Sequence, residues 1–317
     1  MLNLINIINK QDLLVCFLNI HDMPKISVII PAFNAENTLE ETLNSLSTQT
    51  YRDFEVIVVD DCSSDRTSEI ASKFSALFSI RVLVNLENSG VSKSLNRAIV
   101  NSDSMYIARL DSDDIAHAQR LEVQMKFLNE SPRIDVCGSD MHLFHSIKAG
   151  AFSIHIQPKT DSAIKTRLLQ QNSISHPSVL LRRSFFTDVG LYDATYDYAE
   201  DYELWCRGAQ MGKVYANLEA KLTSYRVHSG QIGQIKREIQ FERDMGVKRK
   251  YITSLLGSPQ IAFLPEIFSP LSHFNSREIA LWAFAESTSA LLKMEHMVQD
   301  KIAYADIIKY SISRHLK

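Results

Sequence analysis

The chain has 317 residues, 45% apolar content and a formal charge of -3, enough for one large core or two smaller ones, and its charge balance gives no support to a nucleic-acid partner. Its four cysteines, Cys16, Cys62, Cys137 and Cys206, lie far apart without a CxxC pair, which points to a reducing, cytoplasmic compartment and away from a zinc site. No apolar run approaches the roughly 20 residues that a membrane helix needs.

Residues 1–22, MLNLINIINKQDLLVCFLNIHD, are rich in Asn, Ile and Leu and lack the small-residue cleavage site of a signal peptide. Met23 then opens MPKISVIIPAFN as a natural start would. ISVII (26–30) is a short β-rich run closed by Pro31. In ENTLEETLNSLSTQ, Leu39, Leu43 and Leu46 recur at helical spacing. EVIVV (55–59) predicts a second strand, closed by Asp60 and Asp61. Asp65 is placed to cap a helix carrying Ile70, Phe74 and Leu77. Residues 81–84 predict a third strand, and Gly90 precedes a helix with Val91, Leu95 and Ala98. Residues 106–110 predict a fourth strand, followed by a helix with Leu121, Met125 and Leu128.

The second half is less regular. Residues 141–157 suggest a hairpin or two ragged strands around Lys148-Ala149-Gly150. Helices are expected near 161–170 and 201–210, the latter stopped by Gly212, and a late strand at 222–227. From about residue 235 the pattern is helical, first as KREIQFERDMGVKRK and then from about residue 275 to the end. Apolar strands alternating with helices argue for an α/β fold whose mostly parallel sheet is covered on both faces. No repeat or low-complexity linker breaks it, so one α/β unit with a helical tail is expected.

In open parallel sheets, ligands bind beyond the carboxyl ends of the strands. Three strands here end in polar clusters: Pro31-Ala32-Phe33-Asn34, Asp60-Asp61-Cys62-Ser63-Ser64-Asp65 and Asp111-Ser112-Asp113-Asp114. Right-handed crossovers bring all three to one edge. Asp111 and Asp113 stand two apart on extended backbone, so both carboxylates can face one hard cation. The alternative is a solvated loop capping the next helix, and the two neighbouring polar strand ends weigh against it. Asp60 and Asp61 suit either a self-satisfied turn or contacts to a base N–H or a ribose hydroxyl.

The stretch SVIIPAFNAENTLEETLNSLSTQTYRDFEVIVVDDCSSDRT, then ENSGVSKSLNRAI, then ARLDSDD resembles the family 2 glycosyltransferases of the GT-A fold. AEDYELWCRGAQMG (199–212) and YRVHSGQIG (225–233) extend the resemblance, five motifs in order; residues 1–22 and the last 80 or so lie outside it. The resemblance implies that Pro31, Ala32, Phe33 and Asn34 pass along the nucleotide. It implies that Asp61, with Asp60 beside it, contacts uracil and ribose, and that Lys93 lines the nucleotide pocket. Asp111, Ser112 and Asp113 match the DxD, Asp113 as the direct ligand of Mn²⁺ or Mg²⁺ and Asp111 nearer the ribose. His228 matches a third contact to metal or diphosphate. Asp201 matches the general base, and Trp205 a wall of the acceptor or sugar site. Glu200 and His176 fall on the acceptor side, His176 as either a structural or a contacting residue. Arg109 is open between pairing with Asp60 or Asp111 and touching a phosphate. One departure is Ala35, where many members carry Glu; Glu36 follows and receives no role.

The implied organisation is an extension at 1–22, a nucleotide-sugar half at 23–115, an acceptor half at 116–233 and a helical region at 234–317. The implied reaction is inverting, metal-dependent transfer from a UDP-sugar to a glycan or lipid-linked acceptor, in bacterial surface polysaccharide assembly. A catalytically inactive nucleotide-sugar-binding protein is the alternative, and an intact Asp201 argues against it. A DxD phosphotransferase would carry that motif after its first strand, not its fourth. The basic stretch 236–250 suits either a solvated helix face or peripheral contact with anionic lipid at the inner membrane surface.

Overall fold

The computed structural model describes residues 24–228 and 236–256. The expectations for residues 1–22, for 229–233 of the last motif and for the region beyond residue 256 lie outside the described residues. Strands β1 (Ile26–Ala32), β2 (Phe54–Asp60), β3 (Ser79–Val84) and β4 (Tyr106–Arg109) run parallel in the order β3-β2-β1-β4. Every residue of β2 and all but Pro31 of β1 are buried. A strand covered on both faces cannot alternate apolar with polar, which explains the continuous runs in the sequence.

Successive side chains point to opposite faces. Ile29, Ile57 and Ile107 enter one core layer, and Val28, Ile30, Val56 and Ala108 enter the other. The described helices are α1 (Leu39–Ser47), α2 (Thr67–Ser72), α3 (Val91–Val100), α4 (Arg120–Glu130), α5 (Asp161–Arg167), α6 (Arg183–Val189), α7 (Glu200–Gln210) and α8 (Arg237–Leu256). Residues of α1, α2 and α4 close the second layer. Residues of α3, α5, α6, α7 and α8 close the first.

Beyond β4 the sheet is mixed. The further strands are β5 (Ile115–Ala116), β6 (Val136–Phe144), β7 (Ala151–His155), β8 (Leu180–Arg182) and β9 (Tyr215–Arg226). β8 joins β4 to β6 antiparallel, β6 runs parallel to β9, and β5 and β7 add antiparallel to β9 and β6. The hairpin reading around residues 148–150 matches β6 and β7, and the late strand begins at Tyr215 rather than 222. The α2 helix ends at Ser72 and tightens into a 3₁₀ turn at Lys73–Ala76, leaving Leu77 exposed. In α8, Met245, Val247, Tyr251 and Ile252 are buried. Lys248 is buried with them, and Lys250 pairs with Glu203 at 3.3 Å. Lys248 therefore faces protein, while Lys250 pairs at the exposed edge.

Gly208 shows how tightly α7 is seated. A Cβ there would stand 2.3 Å from the Tyr215 hydroxyl and 2.9 Å from the Phe185 ring. That hydroxyl donates to the Trp205 carbonyl at 2.8 Å. Gly208→Ala should therefore destabilise the fold by ~1–3 kcal/mol, despite alanine's ~1 kcal/mol better helix propensity. Urea denaturation measures it, and equal or greater stability would show that the contact relaxes freely.

Candidate functional site

The carboxyl ends of β1 and β2 are latched together. The Asp61 N–H donates to the Ala32 carbonyl at 2.8 Å. The chain then turns through two left-handed residues, Asn34 (φ 49°) and Cys62 (φ 64°). Asn34 N–H donates to Ser63 Oγ and Ser64 N–H donates to Asn34 Oδ1, both at 2.9 Å. Glu36 N–H donates to Asp65 Oδ2 at 3.0 Å, and the Glu36 carboxylate takes Arg66 at 3.2 Å. Of the expected nucleotide loop, Phe33 is 51% exposed, Asn34 is exposed, Pro31 is half-buried and Ala32 is buried. Lys93 is exposed in the first turn of α3.

Asp60 and Asp61 are buried, and protein donors already engage their oxygens. Asp60 accepts from Ser63 N–H at 2.9 Å and from the Ser68 hydroxyl. Asp61 Oδ1 accepts from Asn85 Nδ2 at 2.6 Å and Ser89 N–H at 2.8 Å, and its Oδ2 from Gly90 N–H at 2.8 Å. The turn reading of this pair is what these contacts show. The carboxylates shape the loops that border the rim.

At the end of β4, single carboxylate oxygens of Asp111, Asp113 and Asp114 lie within 4.8 Å of one another. Arg109 Nη1 donates to Asp111 Oδ2 at 2.5 Å, and its Nη2 pairs with Oδ1. The open question about Arg109 thus resolves to Asp111. His228 Nε2 lies 2.9 Å from Asp113 Oδ2. Arg226 missed notice in the sequence, although the quoted motif contains it. Its N–H donates to Asp114 Oδ1 at 2.8 Å and its Nε to the Asp113 carbonyl at 2.7 Å. Arg226 also pairs with Glu41 at 2.5 Å. β5 pairs with β9 two residues before Arg226, so the acidic loop is held from both ends. Asp114 is fully buried, and its Oδ2 has no hydrogen-bond partner among the described residues. Burial, then Asp111 and Asp113, push its carboxyl well above the usual range. Burial also raises Asp111, with Arg109 pulling it back. Clustered hard oxygens with one left orphaned fit a divalent cation such as Mg²⁺ or Mn²⁺.

A second cluster opens α7. Asp201 Oδ2 accepts from Asn172 Nδ2 at 2.6 Å, and Oδ1 from Tyr202 N–H at 2.7 Å. His176 Nδ1 stands 3.9 Å from Glu200 Oε1 and 4.0 Å from Asp201 Oδ2, while its Nε2 meets the Tyr192 hydroxyl at 2.8 Å. Burial, then Arg109, hold His176 well below its ordinary pKa, so the ring is neutral. Burial raises Asp201. Burial, then the charge of Asp201, push Glu200 up to about 8. Arg109 acts on Asp111, Glu200, Asp201 and His176 alike, so one charge links the two clusters. Trp205 is corrected: it is 0% exposed, packed against His176, Phe185 and Tyr215 at 6.1, 6.0 and 6.5 Å. Four residues beyond Asp201 on the same helix face, it backs His176 from the core and offers no wall to solvent. Asn172 and Tyr192 had no sequence signal; only the fold brings them here.

The family profile described as Glycosyl transferase family 2 matches residues 27–190. An uncharacterized glycosyltransferase of Haemophilus influenzae is 31% identical over 244 residues, 74% of this chain and 75% of that one. The amylovoran biosynthesis glycosyltransferase AmsE of Erwinia amylovora is 28% identical over 226 residues, 68% and 84% of the two chains. Among solved structures, residues 1–349 of S. aureus TarS with UDP-GlcNAc align with a TM-score of 0.62 at 23% identity, covering 76% of this chain and 70% of that one.

Glu200 makes stability depend on pH. Its carboxyl titrates near 8 when folded against 4.5 ordinarily. The folded state therefore keeps a proton that the unfolded chain has already lost, and stability falls as pH rises from about 5 to about 8. Glu200→Gln should gain stability relative to the native protein across that window, with a limiting slope of about 1.4 kcal/mol per pH unit. Denaturation curves at pH 5 and pH 8.5 measure it, and parallel pH dependences would contradict the burial of this group.

Proposed function

The chain belongs to glycosyltransferase family 2 and is a glycosyltransferase on a GT-A fold; we propose that it moves a sugar from a UDP-sugar to a hydroxyl of a glycan or lipid-linked acceptor, with inversion, in surface polysaccharide synthesis. The observation that carries the reading is the meeting of an acidic, oxygen-rich rim with a pair of buried carboxyls through one shared arginine. The uridine donor is supported by the structural neighbour crystallised with UDP-GlcNAc, and the polysaccharide context by the relative named for amylovoran biosynthesis.

In this reading Asp113, Asp111 and His228 would hold Mn²⁺ or Mg²⁺, with Asp114 buried behind them. A bound cation supplies charge stabilisation to the leaving diphosphate. The loop at 31–34 and the loops shaped by Asp60 and Asp61 border the nucleoside, with Lys93 and Ser112 on the same edge. Arg109 keeps Asp111 ionised and aimed. Asp201 takes the proton of the acceptor hydroxyl, its carboxylate oriented by Asn172 and the Tyr202 N–H. Glu200, protonated near neutral pH, leaves Asp201 as the charged member of the pair. Attack comes from the face opposite the diphosphate, which inverts the anomeric centre through an oxocarbenium-like transition state. A lipid-linked acceptor would bring this edge to the cytoplasmic face of the membrane.

Two substitutions separate the roles. Asp113→Ala should abolish Mn²⁺-dependent binding of UDP in calorimetry. Asp201→Asn should bind UDP as the native protein does and lose turnover by ~10²–10⁴-fold. UDP binding that ignores both the metal and Asp113, or GDP bound in its place, would overturn the donor assignment.

A further inference from the structure

Two side chains on one face of α3 grip the segment that leads into α7. Ser92 and Asn96 stand four residues apart, so both point the same way. Asn96 clamps Tyr192 at both backbone groups: Nδ2 donates to its carbonyl at 2.8 Å and Oδ1 accepts its N–H at 2.9 Å. Ser92 meets Asp197, whose Oδ1 accepts the Ser92 N–H at 3.3 Å and its hydroxyl. A carboxylate on the first turn of a helix also suits the helix dipole.

The same helix is tied to the nucleotide side. Gly90, just before α3, has φ 87°, and a Cβ there would stand 2.5 Å from Asp197 Oδ2. Gly90 and Ser89 give their N–H groups to Asp61. A short chain of contacts thus runs from Asp61 through residues 89–92 to Asp197, four residues before Asp201. The segment it holds is not relaxed. Tyr198 has φ 79°, a conformation that bulky L residues rarely adopt. Its carbonyl is held by Gln240 Nε2 of α8 at 3.1 Å. Three grips, at Tyr192, Asp197 and Tyr198, therefore fix a strained turn whose next residues are Ala199, Glu200 and Asp201.

We propose that Asn96 and Asp197 are positioning residues, which set the place of the Asp201 carboxylate relative to the donor loop at 88–92. The proposal rests on Asp201 being the base. It makes α3 the strut between the two halves of the site, with donor side and base side unable to drift independently. Neither residue is assigned contact with the reacting atoms.

The test uses Asn96→Ala, Asp197→Ala and the conservative Asp197→Asn in the full chain. UDP affinity with Mn²⁺ is read by calorimetry, and UDP release from UDP-GlcNAc is read with water as acceptor. Backbone amide exchange is followed across residues 199–203, where the Glu203 N–H bonds the Ala199 carbonyl at 2.9 Å. The expected result is UDP affinity within threefold of native, kcat lowered tenfold or more in the two alanine variants, and exchange at 199–203 raised at least tenfold. Asp197→Asn, which keeps one acceptor oxygen for Ser92, should recover most of the kcat. Native exchange at 199–203 in both alanine variants overturns the proposal, as does a kcat loss matched by an equal loss of UDP affinity. A native protein that binds no UDP would instead defeat the donor reading, and the exchange result would still decide this one.

Discussion

A single buried guanidinium sets the electrostatics of this molecule. Arg109 is 5% exposed on the last residue of β4, where burial alone would lower its pKa. Its two-pronged contact with Asp111 more than offsets that, and its pKa is raised, not lowered. The same positive charge draws Asp114, Glu200 and Asp201 back toward ionisation and adds to the burial that keeps His176 neutral. An arginine suits this place because its planar fork meets a carboxylate at two points and its charge cannot be titrated away. A second guanidinium holds the strand in position behind it: Arg120 donates to the Arg109 carbonyl at 2.6 Å and the Val179 carbonyl at 3.1 Å. The proximity of Arg109 is one reason that Arg120, after burial itself, falls to about 9.

Around that charge the edge of the sheet is built from side-chain latches rather than glycine turns. The chain has only 10 glycines. Asn34 and Cys62 take left-handed conformations at the ends of β1 and β2 without one. Asparagine tolerates this region well and cysteine less so, and both are held by neighbours. Asn34 is pinned on both sides by Ser63 and Ser64, while Asp60 fastens Ser63 and Ser68 just beyond Cys62. Such a rim cannot easily spread, and loops fixed by several short polar contacts keep their carboxylates at fixed spacing. Asp60 and Asp61 contribute to that spacing through the donors they hold.

The first half of this architecture was legible because parallel strands buried on both faces write themselves as ISVII and EVIVV, and their helices as leucines at helical spacing. The polar strand ends were legible for the same reason, since a parallel sheet places them on one edge. The second half was not. β5 and β8 have two and three residues, too short for any period to emerge. The α6 sequence RSFFTDV also lacks a long repeat, although Phe185 and Phe186 are both buried. Contacts such as Asn172 to Asp201, or Asn96 to Tyr192, span 29 and 96 residues of sequence. Nothing local marks them, because each residue type has many uses and only the closed sheet selects one. Trp205 misled for a related reason: its motif position was informative, while its depth along the helix could only be read from packing.

The acidic rim is asymmetric, and the asymmetry bears on how a cation would sit. Both oxygens of Asp111 already face Arg109, and one oxygen of Asp114 accepts the Arg226 N–H. Asp113 is engaged through Oδ2 by His228, whose side chain is 41% exposed and sits at the outer lip. Among the described residues, Asp114 Oδ2 is buried without a donor. His228 and Asp113 would be the groups at the outer lip to hold a cation, with Asp114 buried behind them and Asp111 already paired with its arginine. The pairing with Asp111 leaves Arg109 acting also on the buried carboxyls of Glu200 and Asp201.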